Sequence, residues 1–435
     1  MAANYPVGEL IETSIGGGWG ADELEDDSSP VAVIRGTDIP RLSRGDFSSV
    51  PRRFESNRKI RTRLLEVGDI VLEVAGGSAA RGQYTGRTLL VTTEILEILG
   101  PAICASFCKR LVLRKDLIDP LYFFYFMQDL YKSGRVADYD SQSTGISNFQ
   151  FAAFMTNEML ELPPREIQAA LSTPLELVDQ KILSNRGLAN TLESIAQTLF
   201  RSWFVDFDPV RAKMAGEKPA GMDDATAELF PDSMEESELG EIPAGWKVGD
   251  LGELCHLTMG QSPPGDAYNL SGEGLPFYQG RTDFGMRFPK TRMYSTLGNR
   301  KASPGDVLVS VRAPVGDLNQ ALEECVIGRG VAAVIHRSGS QAYSYSLMQS
   351  IQHRLEYFNG EGTVFGAINK TDFSSIPLVE PPVELLNRFD ELASPVNGLL
   401  RSLHEQSQNL AATRDALLPR LISGELEVPE DLLVS

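Results

Sequence analysis

Two stretches of this sequence concentrate cations. Between Arg35 and Arg63 there are nine basic residues (Arg35, Arg41, Arg44, Arg52, Arg53, Arg58, Lys59, Arg61 and Arg63) against three acids. Between Arg281 and Lys301 there are six (Arg281, Arg287, Lys290, Arg292, Arg300 and Lys301) against Asp283 alone. Guanidinium and ammonium groups at that density neutralise polyanions, and the Arg fork bonds paired acceptors. The chain as a whole points the other way. With 40 basic and 59 acidic residues among 435 its net charge is −19, and Glu217–Glu241 alone holds nine acids and one Lys. The anion-binding chemistry is therefore local: two basic islands in an acidic molecule, with a polar linker between them.

Groups that would make or break bonds are scarce. There is no Gly-x-x-x-x-Gly-Lys-Ser/Thr loop for nucleotide phosphates, and no Asn-Pro-Pro-Tyr or Asp-Pro-Pro-Tyr to hold a flipped adenine. Gly16–Ala21 fits a dinucleotide loop only loosely, because no long apolar strand precedes it. The four histidines (His256, His336, His353, His404) lack metal-ligand spacing, and Cys104, Cys108, Cys255 and Cys325 are too scattered for a disulfide framework or a zinc site. Carboxylate pairs such as Asp26–Asp27 and Asp223–Asp224 have no neighbouring base. The expectation is no metal, no cofactor and no self-contained enzyme. A hydrophobic content of 42% supports packed cores, while no run of 18 apolar residues and no leader is visible, so a cytoplasmic protein without membrane contact is expected.

An internal repeat organises the chain. Val7-Gly8-Glu9-Leu10 recurs as Leu251-Gly252-Glu253-Leu254 at an offset of 244, which also carries Gly16 to Gly260 and Gly36 to Gly280. Gly68–Leu72 matches Gly305–Val309 at 237, Met127-Gln128 matches Met348-Gln349 and Asn148 matches Asn369 at 221, and Pro163-Pro164 matches Pro381-Pro382 at 218. Each copy opens with short β-type runs: Val31–Ile34, Ile70–Val74 and Leu89–Thr93 in the first, Val307–Val311 and Val331–Ile335 in the second. Each then turns helical, and the aromatic run Tyr122–Phe126 reads as packing against a sheet.

After each double proline a long helix is predicted. Leu175, Val178, Ile182, Asn185, Ala189, Leu192, Ala196, Leu199 and Trp203 alternate spacings of three and four, the seam of a coiled coil. Val396, Leu399, Leu403, Gln406, Leu410, Thr413 and Leu417 repeat that phase, and both seams put an amide, Asn185 and Gln406, at the same heptad position. A polar residue there fixes register and partner, so the two helices are expected to pair with each other. A seam of about 29 residues is roughly 43 Å long, and a DNA turn is about 34–36 Å. An antiparallel pair would thus hold two similar units roughly a DNA turn apart. The fold class is α+β with an internal pseudo-two-fold repeat.

At this point the residues carry a family resemblance. Leu239–Trp246 (LGEIPAGW), Leu199–Lys213 (LFRSWFVDFDPVRAK) and Leu417–Leu426 (LLPRLISGEL) resemble segments of the specificity subunits of type I restriction-modification enzymes, and the likeness covers nearly the whole chain. It implies two target recognition domains, each reading half of a split, asymmetric double-stranded DNA target. It also implies an antiparallel coiled coil that sets the gap and docks two methyltransferase (modification) subunits. S-adenosylmethionine and ATP would be bound by partners, the latter by restriction and motor subunits, and this chain would catalyse nothing. The expected layout is a first recognition domain over 1–162, a central helical spacer over 163–215, an acidic linker over 216–240, a second recognition domain over 241–380, a C-terminal helical spacer over 381–427 and a tail over 428–435.

Within that layout the DNA-binding candidates are Arg35, Thr37, Arg41, Arg52, Arg53, Arg58, Lys59, Arg81 and Gln83 in the first domain. Those in the second are Gln279, Arg281, Arg287, Lys290, Arg292, Arg300, Lys301 and Arg312. For partner docking the candidates are Trp203, Phe204, Val205, Phe207, Leu421 and Ile422, apolar residues at matching helix ends. Two other readings stay open: an acidic two-lobed scaffold or inhibitor, and a specificity chain of another methylase-nuclease system.

Overall fold

The computed structural model describes residues 3–76, 84–143, 146–359 and 366–426. They form two compact units, one from Met1–Arg186 with Gln406–Ser435 and one from Gly187–Glu405.

In the first unit the strands are β1 (Ile11–Gly16), β2 (Ser28–Ile34), β3 (Arg52–Ser56), β4 (Ile70–Glu73), β5 (Thr88–Leu90), β6 (Ala102–Cys104) and β7 (Cys108–Leu113). One sheet runs β1-β7-β4-β5, all antiparallel, and a second runs β3-β2-β6 with β2 and β6 parallel. A ribbon of Ala3–Pro6 with Met159–Leu162 brings the beginning and end of this segment together. Strand β4 separates two cores, as period-two alternation in a sheet buried on both faces requires. Ile70 and Leu72 face helix α1 (Pro120–Lys132) and its Tyr122, Phe123 and Phe126, while Val71 faces Ile34, Leu89 and Ile95. Asp119 caps α1 by accepting from the Leu121 and Tyr122 amides, and Pro120 occupies the first turn, where its missing N–H costs nothing.

The second unit repeats the plan with β8 (Cys255–Met259), β9 (Leu275–Tyr278), β10 (Val307–Ser310), β11 (Leu318–Gln320), β12 (Cys325–Ile327) and β13 (Val331–His336). Its main sheet runs β8-β13-β10-β11, strand for strand the order of the first, and β9 pairs in parallel with β12 as β2 does with β6. The repeated Gly-Asp pair has one local purpose in both copies. Gly68 and Gly305 hold φ of 92° and 91°, a left-handed turn that suits glycine, and the Asp69 and Asp306 carboxylates accept from the amides of Glu66 (2.7 Å) and Ser303 (2.8 Å). Each turn then feeds a buried strand.

Two 40-residue helices span the units in sequence: α2 (Arg165–Phe204) and, beyond the ten-residue helix α3 (Gln341–Ser350), α4 (Val383–Ile422). Within the first unit Leu175 packs with Leu418, and Asn185 Nδ2 donates to Gln406 Oε1 at 2.7 Å and Ser407 Oγ at 3.3 Å. Within the second, Ala189 and Leu192 pack with Val396, Leu400 and Leu403. Partner numbers fall along α4 as they rise along α2, so the pairing is antiparallel. The α4 seam differs from the predicted phase in one respect: Leu400 and Leu418 are buried, whereas Leu399 is 44% exposed. An untwisted helix drifts about 20° per heptad against a 3.5-residue repeat, enough to turn a neighbouring position inward. No described helix is long and apolar enough to cross a membrane.

Candidate nucleic-acid interface

In both units the basic island lies in the same topological place, between the parallel-paired strand (β2 or β9) and the strand after the Gly-Asp turn (β4 or β10). What each cation does there differs.

In the first unit the loop after β2 is closed by Arg35. Its Nε and Nη2 donate to Asp38 at 2.9 Å each and Nη2 also to the Ser49 carbonyl at 2.6 Å. Burial pulls the Asp38 carboxyl upward, but the bonds from Arg35 outweigh it and leave it below the usual carboxylate range. Thr37 and Arg41 sit exposed on this loop, Arg41 3.7 Å from Asp46. A second group gathers where β3 runs into the exposed helix Asn57–Arg63. Arg53 stacks over the Trp19 ring at 4.8 Å and pairs with Asp22, Lys59 pairs with Glu55 at 3.2 Å, and Arg52 donates to the Leu99 carbonyl at 3.1 Å. Arg58 is exposed and makes no ion pair with any described residue. Arg81 and Gln83 lie outside the described residues.

In the second unit Asp283, itself 4% exposed, organises the loop Gln279–Arg292. Its carboxylate accepts from the Gln279 amide (2.7 Å) and from Arg292 Nε (3.0 Å) and Nη2 (2.5 Å), and its carbonyl accepts from the Lys290 amide (2.7 Å). The Gln279, Lys290 and Arg292 side chains are thereby held on one exposed loop, with Arg281 fastened to Asp317 at 2.7 Å. A cleft of about 340 Å³ opens beside it, lined by Arg281, Phe284, Met286, Asp317, Gln349 and Gln352 among others. Lys301 is paired with Glu324 at 2.9 Å, and Arg300 and Arg312 are exposed.

Arg287 departs from the expectation. It is 9% exposed and points into the unit, bonded to Glu193, Asn397 and Gln320 and stacked over Tyr345. A guanidinium with that many partners is structural. Beside the first unit's cations, Trp19 is the neighbour that the sequence did not single out, and Arg63 was counted in the basic island without being a candidate. Trp19 is 41% exposed beneath Arg53, and Arg63 approaches Glu55 at 3.7 Å. The available signal was an aromatic side chain after three glycines, close in sequence to an arginine-dense stretch.

The apolar helix ends are also corrected in part. Trp203, Phe204 and Phe207 are 2%, 7% and 7% exposed and build the second unit's own core with Phe200, Phe230, Trp246, Tyr343 and Phe389. The reason lies in the backbone. Phe207 adopts φ 56°, turning the chain after α2 so that the short helix Asp208–Met214 returns Val210 to the same core. The Pro243–Trp246 turn likewise seats Trp246 against Phe207 at 5.6 Å. Leu421 and Ile422 are half-buried against Tyr125, Leu175 and Leu418 of the first unit. Of the six, Val205 alone is solvent-facing, at 44% exposure.

Reactive groups are quenched by burial. Desolvation pushes the thiols of Cys104, Cys255 and Cys325 up to about 12 and Cys108 higher still. It pushes buried His336 down to about 4, while His404 is half-buried on Phe288. Among the described residues no cluster of three His, Cys, Asp or Glu is placed to hold a metal ion. The arrangement presents cations and hydrogen-bond donors on loops backed by rigid sheets, which suits binding of a polyanion.

No protein-family model matches the chain. A protein of Methanocaldococcus jannaschii, provisionally named the type I restriction enzyme MjaX specificity subunit, is 34% identical over 202 residues, 45% of this chain and 47% of that protein. The chain thus aligns with about half the length of that relative. The HindI type I specificity subunit of Haemophilus influenzae is 26% identical over 61% of this chain and 69% of its own. Among solved structures, the type I restriction-modification S subunit from M. genitalium aligns over 97% of this chain and 96% of its own with a TM-score of 0.54 and 13% identity, a likeness of fold.

Proposed function

The chain belongs with the specificity subunits of type I restriction enzymes, and on that premise we propose that it is the DNA-reading, non-catalytic member of such an enzyme. Each unit reads one half of a split, asymmetric duplex target, and the long helices set the gap and dock two methyltransferase subunits. S-adenosylmethionine and ATP belong to the partners, the latter to restriction and motor subunits, and the assembly acts in the cytoplasm. The observation that carries this reading is the duplication: two sheets of one strand order, each with a cation-rich segment at the same point of its topology.

In the first unit Thr37, Arg41, Arg52, Arg53, Arg58 and Lys59, joined by Trp19, face the duplex, and Arg35 braces their loop. In the second Gln279, Arg281, Lys290, Arg292, Arg300, Lys301 and Arg312 do so. Cations bound to phosphate set register, while a few side chains read base edges. For partner docking the candidates are Val205 in the second unit and, separately, the exposed edges of Leu421 and Ile422 in the first.

The test is a genome-wide map of methylated bases in a host expressing the neighbouring modification subunit, with and without this chain. A split motif of two short halves and a fixed gap, present only with the chain, is the expected result. Unchanged methylation despite co-purification favours the scaffold or inhibitor reading instead. Replacing a base reader costs about 1–3 kcal/mol at one base pair, whereas replacing a phosphate contact weakens all sequences alike and lowers the salt slope by about one. Val205→Asp is expected to abolish co-purification with the modification subunit while the chain stays soluble.

A further inference from the structure

In the second unit the loop that carries Gln279, Arg281, Lys290 and Arg292 is fastened to the helix pair at one place. Asn319 of β11 grips Gly285 on both sides, its Oδ1 accepting from the amide at 2.9 Å and its Nδ2 donating to the carbonyl at 3.1 Å. Two residues on, the Arg287 carbonyl accepts from the Gln320 amide at 2.9 Å. From there the Arg287 side chain runs inward. Its Nη1 donates to both Glu193 carboxylate oxygens, at 2.8 and 2.7 Å, and its Nη2 to Asn397 Oδ1 at 2.6 Å. Its Cζ lies 3.3 Å from the centre of the Tyr345 ring. Glu193 belongs to α2 and Asn397 to α4, and Gln349 of α3 also donates to Glu193 at 2.8 Å. Phe288, the next residue, packs on His404 of α4 at 5.0 Å. One planar group thus holds both long helices, the sheet helix and the base of the loop, a task its rigid fork suits and a single ammonium does not.

We infer that Arg287, with Glu193 and Asn397, is a positioning residue that fixes the angle at which the reading loop is presented from the helix pair, and so the number of unspecified base pairs accepted between the half-sites. This rests on the function proposed above. Neighbouring gap lengths differ by about 3.4 Å along the duplex and about 34–36° around it. Only a stiff joint between loop and helices tells them apart. A buried guanidinium bonded to three side chains and stacked on a ring is stiff, whereas an exposed Lys–Glu pair such as Lys301–Glu324 is not.

The experiment uses the full chain with its modification partner. The motif is mapped by methylated-base sequencing, and binding is then measured to duplexes carrying the mapped gap, one base pair fewer and one more. The variants are Arg287→Lys, Glu193→Gln and Asn397→Ala. The last two each remove one partner while leaving Arg287 in place, so the result does not hinge on the arginine variant folding. Expected is an unchanged pair of half-site sequences with discrimination against the off-length gaps reduced about tenfold, about 1.4 kcal/mol. Wild-type gap selectivity in folded variants overturns the inference, as does loss of base selectivity in one half with the gap still strict. A wild-type chain that confers no split motif overturns the proposed function itself, and the joint with it.

Discussion

The two units share a sheet order but are tied to the long helices by different chemistry. Each uses a carboxylate on α2. In the first unit Asp179 accepts from the Tyr125 hydroxyl at 2.8 Å and pairs with Arg414 of α4, and Lys132 of α1 reaches Asp415 at 2.5 Å. In the second, Glu193 accepts twice from Nη1 of one buried guanidinium, whose Nη2 goes to Asn397 and Gln320. The first joint is spread over separate, partly exposed pairs, and the second is concentrated in a single residue. A fold can therefore repeat without its fastenings doing so. The sheet order is set by many apolar contacts, each individually replaceable, whereas a joint depends on a few polar ones that drift independently.

The comparison can be broken first at the core of the second unit. Trp203→Ala is expected to cost about 4 kcal/mol in thermal or urea unfolding, whereas Val205→Asp, two residues on, stays within about 0.5 kcal/mol. Equal effects would return Trp203 to the surface. At the joints, Arg287→Met should cost about 3 kcal/mol because it strands a half-buried carboxylate, and adding Glu193→Met should recover most of that loss. Tyr125→Phe in the first unit should cost only about 1 kcal/mol, since Asp179 keeps Arg414.

Acid separates the units further. Where the second unit ends β13 with buried His336, opposite Cys255, the first ends β7 with Leu113 at the matching place, opposite Ile11. The folded state holds His336 down at about 4, below the unfolded value near 6.5. Its contribution is thus fully present above pH 6.5 and lost as the pH falls through 6.5 toward 4, up to about 3 kcal/mol. Trp203 and Trp246 report on this unit, so an acid titration of tryptophan fluorescence should show it opening first. His336→Leu should move that midpoint to lower pH, and an unmoved midpoint would place the acid sensitivity elsewhere. The smallest effect is at the seam. Asn185→Leu with Gln406→Leu should leave stability unchanged or slightly higher while broadening the helix register, read by cross-linking of engineered cysteines.

Much of this architecture was legible because it rests on periodicity. Val307–Val311 alternates between two cores and forms β10, the Tyr122–Phe126 run packs into the core as helix α1, and Asn185 meets Gln406 as the heptads require. The inward turn of Arg287 was not legible. Its composition neighbours are cations that face solvent, and the groups that hold it are 94 and 110 residues away in the chain. Nor does apolar density at a helix end distinguish a docking face from a core. Phe204 became core because Phe207 bends the backbone, a conformation with no mark in local composition.

The first unit is assembled from two stretches separated by about 220 residues, the whole of the second unit. During synthesis the second unit is complete in sequence while the first still waits for Leu418, Leu421 and Ile422 to cover Tyr125 and Leu175. At about 5–20 residues per second, synthesis of the second unit separates the first unit's two stretches by roughly ten to forty seconds. For that time the first lobe carries an open apolar seam over Tyr125 and Leu175, so chaperones meet it unfinished while the second lobe is still being made. A chain that ends just after residue 405 holds all of the second lobe and lacks the residues that cover the first.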